Sequence, residues 1–299
     1  MKFVNSAKFY KADVLILGGD ITGKAIIPMV PQQDCTISCD FLGQNYILTT
    51  PEDKEAFEKK VRFNGYYPTV ITPDEMKKLE EDKKYQFEFF SKVMAEGVKR
   101  WVSIAEERLK DQKVKCYISP GNDDRFDIDD ALKSSSTVIC PEDEVVSIDD
   151  HHEMITSGWS NPTPWNSARE TSEDKLEEIF NKMISKVRNM QNCLFNLHAP
   201  PFGTALDLAP ELDEQLTPKL GGSQGVKVVH VGSEAVRRVI ERHQPLLGLH
   251  GHIHEAKGFA KIGRTVCINP GSEYGEGIMR GAVINLDDKG IKSYILTQG

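Results

Sequence analysis

"QPLLGLHGHIHE", residues 244–255, opens on a leucine-rich run and ends among three of the chain's eight histidines, His250, His252 and His254, set at every second position. A short apolar run that stops at a glycine reads as a strand buried on both faces. Three other segments share this grammar: "DVLILGGD" (13–20), "VKCYISPGNDD" (114–124) and "NCLFNLHAP" (192–200). Amphipathic stretches lie between them. "TSEDKLEEIFNKMISKVRNM" (171–190) places Leu176, Ile179, Phe180, Met183, Ile184 and Val187 at helical spacing, with Thr171 and Asp174 placed to cap its start. "GSEAVRRVIERHQP" (232–245) repeats the logic, with Ser233 as N-cap and Pro245 as stop. Strand, helix and strand in alternation predict βαβ units, a largely parallel sheet and an α/β fold.

Two regions depart from that alternation. Residues 28–110 read as a largely helical insertion: a hairpin in "CTISCDFLGQNYILTT", a helix near 52–64, then one long charged helix from Pro73 to Lys110. The C-terminal stretch alternates short strands with turns, including "DDKG" at 287–290, which predicts antiparallel strands completing a second sheet. The 299 residues are read as a single domain, 1–299, carrying that insertion.

Composition narrows the function. The net charge is −8, and no block of Lys or Arg forms a stripe for a phosphate backbone, which argues against nucleic acid as partner. No apolar run approaches the ~20 residues of a membrane helix, and the start lacks the apolar stretch of a signal peptide. The six cysteines are scattered, with no CxxC pair, as expected of reduced thiols in a cytoplasmic protein.

In open α/β sheets functional groups gather at the carboxyl ends of strands. The residues there are Asp20, Asn122, Asp123, His198, His252 and His254. Carboxylate, amide and imidazole together suit a borderline divalent cation such as Mn, Fe or Zn. In an extended segment His252 and His254 project to one side, and His250, deeper in the strand, is expected to support rather than ligate. Gly-Gly-Asp and Pro-Gly-Asn-Asp alone are ordinary turn sequences, and Gly-His-Ile-His is moderately specific. Together, each closing an apolar run, they point to a metal centre.

The ordered set "GGDITG" (18–23), "GND" (121–123), "LHAP" (197–200) and "GHIH" (251–254), with "NPGS" (269–272) after it, resembles the calcineurin-like metallophosphoesterases. The resemblance spans nearly the whole chain outside the insertion. It implies a four-layer α/β/β/α sandwich with mixed sheets and two divalent metal ions at the strand ends. It also implies that Asp20 bridges both ions, that Asn122, His198 and His252 complete one site, and that His254 belongs to the other. The implied activity is hydrolysis of a phosphodiester or small phosphate ester, two cations neutralising charge during in-line displacement at phosphorus.

The pattern also breaks. The family carries an earlier Asp-x-His strand about thirty residues before the bridging Asp, a βαβ spacing, whereas nineteen residues precede Asp20 here. "KFVNSAKFYKA" reads as the helix after that strand, with Phe3, Val4, Ala7 and Tyr10 on one side, and Asp13 lies ~23 Å from Asp20 along its strand. The first metal site is therefore expected to be incomplete, and a truncated or misassigned start is the simpler reading. His151 and His152 are conceivable replacements, but "SIDDHHE" (147–153) reads as an acidic solvated turn. Asp123 stands where the family commonly has a catalytic His. We read Asp123 and Arg125 as candidate catalytic residues, Arg125 for phosphate, against a plain surface arginine. Trp159 and Trp165 read as core or lid anchors. The competing function is a binding or scaffold protein that keeps the fold without catalysis, and a nuclease comes third. Under the phosphoesterase reading the insertion would be a cap or a homo-oligomer contact.

Overall fold

The computed structural model describes residues 2–23, 25–221 and 225–299. The chain opens with helix α1 (Lys2–Tyr10), which buries Val4 and Ala7, and strand β1 (Val14–Gly18). There follow β2 (Ile26–Pro31), β3 (Ile37–Phe41), β4 (Gln44–Leu48), α2 (Pro51–Phe63), β5 (Tyr67–Val70), α3 (Pro73–Glu81) and α4 (Lys83–Leu109).

Helices do predominate over 28–110, as expected, but strands beyond the expected hairpin add a sheet. The sheet is four-stranded, in the order β4-β3-β2-β5, around a core of its own that includes Met29, Phe41, Phe57 and Val61. The β3–β4 hairpin and α2 match the sequence pattern, but two prolines disguise β2. That strand is staggered: it pairs with β5 through Ile26–Met29 and with β3 through Met29–Pro31. Pro28 and Pro31 therefore each have a neighbour on one side alone, where a missing N–H breaks no ladder. The single helix expected from Pro73 to Lys110 is two helices. Asp82 is extended (φ −117°, ψ 98°), and its carboxylate accepts the N–H groups of Lys84 and Tyr85, so it caps a new helix. The boundary at 110 also moves, because Met94, Val98, Val102 and Leu109 of α4 pack with Val4, Ala7, Leu15 and Ile118 in the main body. Each such buried aliphatic side chain contributes roughly 1.5–3 kcal/mol.

The remaining elements are β6 (Lys115–Ser119), α5 (Asp129–Lys133), β7 (Val138–Ile139), β8 (Val145–Ser147), β9 (Glu153–Ser157), α6 (Glu173–Ile184), β10 (Cys193–Leu197), β11 (Leu208–Pro210), β12 (Val228–His230), α7 (Glu234–His243), β13 (Leu247–Leu249), β14 (Gly258–Ile262), β15 (Thr265–Asn269), β16 (Arg280–Asp287) and β17 (Gly290–Gln298). β1, β6 and β7 form one parallel sheet, and β14-β15-β13-β10-β9-β8 a second, mixed one with antiparallel edges. β16 and β17 pair with each other across the expected "DDKG" turn, and β11 pairs with β12. Among the described residues β1 pairs with β6 alone.

Apolar side chains of both main sheets and of the C-terminal hairpin share one core, in which Tyr117, Met154, Leu194, Leu247 and Ile268 meet Val14, Ile16, Ile284 and Leu296. α6 and α7 cover another cluster around Phe180, Phe195 and Val236. The molecule is thus a mixed α/β fold. Ser233 caps α7 and Gln244 ends it in a left-handed conformation just before Pro245. For α6 the capping side chain is Ser172 rather than Thr171 or Asp174.

Registers decide where chemistry collects. Gly18 lies opposite Ser119, and Ser157 opposite Leu197, so neighbouring parallel strands stop level and their loops start side by side.

Candidate metal centre

The loops after β1 and β6 meet without side chains between them. Gly19 has φ +119°, and a Cβ there would lie 2.4 Å from His198 Nδ1 and 2.7 Å from Gly121 Cα. A Cβ on Gly121 would lie 2.3 Å from Asp20 Oδ1. Only glycine fits either place. The contact is then locked by Asp124, which is fully buried. Its carboxylate accepts N–H groups of Ile21 (3.0 Å), Thr22 (2.9 Å) and Gly121 (2.8 Å), and the Thr22 hydroxyl at 2.6 Å. Nothing in the sequence pattern marks Asp124 for this role.

His198, just past β10, donates its backbone N–H to Ser157 O and accepts that of Gly251, each at 2.9 Å. Its Nδ1 lies 2.9 Å from Gly18 O, so that nitrogen carries a proton. Its Nε2 faces Asp20 Oδ2 and Asn122 Oδ1, both at 3.1 Å. His252 Nδ1 lies 2.8 Å from the same Asn122 oxygen. Donor atoms of Asp20, His198 and His252 lie within 4.8 Å of one another. With Nδ1 protonated, a neutral His198 aims a lone pair at two oxygens, an arrangement that calls for a positive centre among them, either a proton or a metal ion.

Electrostatics follow from this crowding. Burial would raise the Asp20 carboxyl, but the charge and hydrogen bond of His198, with His252 behind, hold it well below the usual carboxylate range. Burial would lower His198, yet the Asp20 charge and hydrogen bond push it up to about 9. Burial, aided by the His198 charge, takes His252 down to about 4. Two imidazoles with opposite shifts over one carboxylate describe a site that accepts a single positive centre and resists a second proton.

The loop carrying His252 is not the extended segment expected. β13 stops at Leu249, and His252 has φ +64°, which ends the strand's alternation. His252 therefore turns to Asn122, whereas His254 is exposed and sets its ring edge-on to Tyr274, centroids 5.8 Å apart. His254 is not brought into the cluster. His250 behaves as expected, buried with Nδ1 2.8 Å from Leu197 O and 3.1 Å from Ala199 O on either side of His198. Asn269, the first residue of "NPGS", donates its side-chain amide to Gly251 O (3.2 Å) and Ile253 O (2.9 Å) and so fixes the histidine loop from behind.

Asp123 is exposed beside the cluster. Its N–H donates to Asp20 Oδ1 at 3.1 Å, and its carboxylate accepts the Ser167 hydroxyl at 2.6 Å. Arg125, read as a phosphate ligand, turns instead to α4. Its Nη1 donates to Phe87 O (3.2 Å) and Ser91 Oγ (2.9 Å), and the guanidinium lies 3.9 Å over the Phe87 ring. The physical reason is local: the aromatic face and two acceptors are within reach, and a planar cation takes them. The arginine that does brace this loop is Arg169, which the sequence did not single out. It is buried, donates its N–H to Asn122 O (3.1 Å) and its Nε to Asp124 O (3.0 Å), and pairs with Asp129. Trp159 packs partly buried against the α6–α7 cluster, while Trp165 is exposed. His152 is buried rather than solvated, with Nδ1 2.8 Å from Asp149 Oδ2. It precedes the first residue of β9, at the opposite end of the sheet from the cluster.

No protein-family model matches the chain. Protein MJ1162 of Methanocaldococcus jannaschii is 35% identical over 153 residues, covering 50% of this chain, so the chain spans 61% of the length of that relative. Among solved structures, TT1561 of Thermus thermophilus aligns over 92% of this chain and 97% of its own at 15% identity, TM-score 0.45. A second solved chain aligns over 91% and 98%, also at 15% identity, TM-score 0.46. No helix among the described residues is long and apolar enough to cross a membrane.

Proposed function

We propose that this chain is a metal-dependent phosphoesterase, built on the four-layer α/β/β/α sandwich of the calcineurin-like metallophosphoesterases. In this reading Asp20, Asn122, His198 and His252 hold a divalent cation. The observation that carries it is His198: one ring nitrogen bound to Gly18 O, the other aimed between Asp20 and Asn122, with His252 on the same amide oxygen. A carboxylate, an amide oxygen and two imidazoles fit Mn, Fe or Zn. A cation in that position supplies Lewis-acid polarisation of a phosphoryl oxygen and neutralises charge that develops at phosphorus.

The chain's own residues do the rest. The Gly18 carbonyl keeps His198 in the tautomer that leaves Nε2 free to ligate. The Asp123 N–H steadies Asp20, and Asp124 keeps the two loops in register. Asp123 itself is the exposed carboxylate that a bound ester would meet. A second reading, a binding protein without hydrolysis, draws support from one observation: His254, which the family pattern gives to a second ion, stands against Tyr274 instead.

Equilibrium dialysis of the chain with Mn²⁺, followed by assay with bis(p-nitrophenyl) phosphate, tests the proposal. Bound Mn²⁺ with turnover is expected, and His198→Ala should weaken the metal by about a hundredfold or more, beyond the loss typical of a residue behind the ligands. Absence of Mn²⁺ binding would refute the metal assignment. Binding without turnover would favour the second reading.

A further inference from the structure

We infer that Asp123, held in place by Ser167, makes this site select singly charged phosphodiesters over doubly charged phosphomonoesters, and favours diesters that carry a hydroxyl or ammonium beside the phosphate. The inference rests on the phosphoesterase reading and assigns its substrate class.

Three observations carry it. First, position: Asp123 follows Asn122, its N–H is on Asp20, and its side chain is exposed at the edge of the cluster. Second, the carboxylate is fixed. The Ser167 hydroxyl donates to it at 2.6 Å, and the Ser167 N–H donates to Glu170 Oε1 at 2.9 Å. Glu170 also takes the Thr163 N–H (2.7 Å) and hydroxyl (2.6 Å), while the Arg169 N–H holds Asn122 O on the other side of the same dipeptide. Swinging Asp123 away means giving up its bond to a serine that this clip holds in place. Third, the charge is not cancelled by the two arginines that brace these loops. Arg125 is spent on Phe87 and Ser91, Arg169 is buried on backbone carbonyls and Asp129, and the serine hydroxyl is neutral.

A bound cation attracts monoester and diester alike, but Asp123 discriminates between them. Above a second pKa of about 6 a phosphomonoester carries two negative charges, whereas a diester carries one. The extra charge meets a fixed carboxylate that, among the described residues, is paired with no guanidinium. Like-charge repulsion at partly solvated separations is of the order of a tenfold change in affinity. Ser167 occupies one of about four lone-pair directions of the carboxylate. The others can accept a hydrogen bond from a hydroxyl or ammonium on the substrate.

The test uses the Mn²⁺-loaded chain at pH 8, with methyl phosphate as dianion and dimethyl phosphate as monoanion. Binding of each is measured by calorimetry, alongside kcat/KM for p-nitrophenyl phosphate and bis(p-nitrophenyl) phosphate. Asp123→Asn should shift the ratio of the two dissociation constants about tenfold toward the dianion. Ser167→Ala should shift it the same way by less, with Mn²⁺ stoichiometry unchanged in both. Unmoved ratios in an Asp123→Asn chain that still binds Mn²⁺ would overturn this inference alone. If the unaltered chain binds no Mn²⁺, the phosphoesterase reading fails and this one falls with it.

Discussion

The Asp20–Asn122–His198–His252 cluster and the His254–Tyr274 corner lie two residues apart in sequence at their nearest point, yet they are built differently. In the cluster the main chain is held as firmly as the side chains: His198 is bonded to Ser157 and Gly251, Asn122 to Arg169, and the His252 loop to Asn269. His254 keeps a backbone bond to Ser272 (3.1 Å), but its imidazole is exposed against an aromatic ring. Histidine alternation places both rings near the strand end. Which ring turns into the cluster is decided by the hydrogen bonds beneath it.

The largest break in this comparison should come from Asp124. Asp124→Ala leaves three backbone N–H groups and the Thr22 hydroxyl without their acceptor, at a cost of about 3 kcal/mol or more. Urea unfolding should show that loss, and the folded remainder should bind Mn²⁺ more weakly because the Asp20 and Asn122 loops lose register. Intact stability would show that the loops do not need their buried acceptor.

A smaller effect separates the regions by pH. Glu142 accepts the Gly158 N–H at 2.9 Å beside the Pro120–Gly121 turn, on the cluster side. Burial pushes its carboxyl up to about 8, only partly offset by that hydrogen bond. The folded chain therefore keeps a proton that the unfolded chain releases near the ordinary glutamate value. Stability linked to Glu142 is present at acidic pH and is lost as pH rises from there through about 8. Glu142→Gln should remove this decline and leave the variant more stable by about 1 kcal/mol at pH 9. Parallel melting curves for both chains from pH 5 to pH 9 would count against the buried carboxyl.

The smallest effect belongs to the other region. His254→Ala should change stability by less than about 0.5 kcal/mol, as for an exposed site, and leave the Mn²⁺ held by the cluster in place. A drop in stoichiometry from two ions to one would instead bring His254 back as a ligand.

Much of this arrangement was readable in the residues. Runs such as "DVLILGG" and "NCLFNLH" are strands, the first partly buried and the second buried throughout, and the groups closing them do converge, because parallel strands in register end level. What stayed hidden has local causes. β2 has no clear strand signal because of Pro28 and Pro31, which are tolerated only through its stagger. Asp82 breaks a periodic pattern that looks continuous, since the apolar spacing carries no trace of a cap. Arg125 and Arg169 are indistinguishable as letters. Only the fold shows that one lies on Phe87 and the other under Asn122. His252 and His254 share parity, but a single left-handed residue cancels it.

That left-handed backbone bears on rates as well as on shape. Asp20 (φ +50°) and His252 (φ +64°) sit where L side chains are disfavoured by about 1 kcal/mol each. The strain is held by the surrounding fold, through the Asp123 N–H on Asp20 and the Asn269 amide under the His252 loop. If the cluster takes up a cation as proposed, the turns that place Asp20 and His252 are ones the fold itself builds, so uptake would not wait on the microseconds of loop rearrangement.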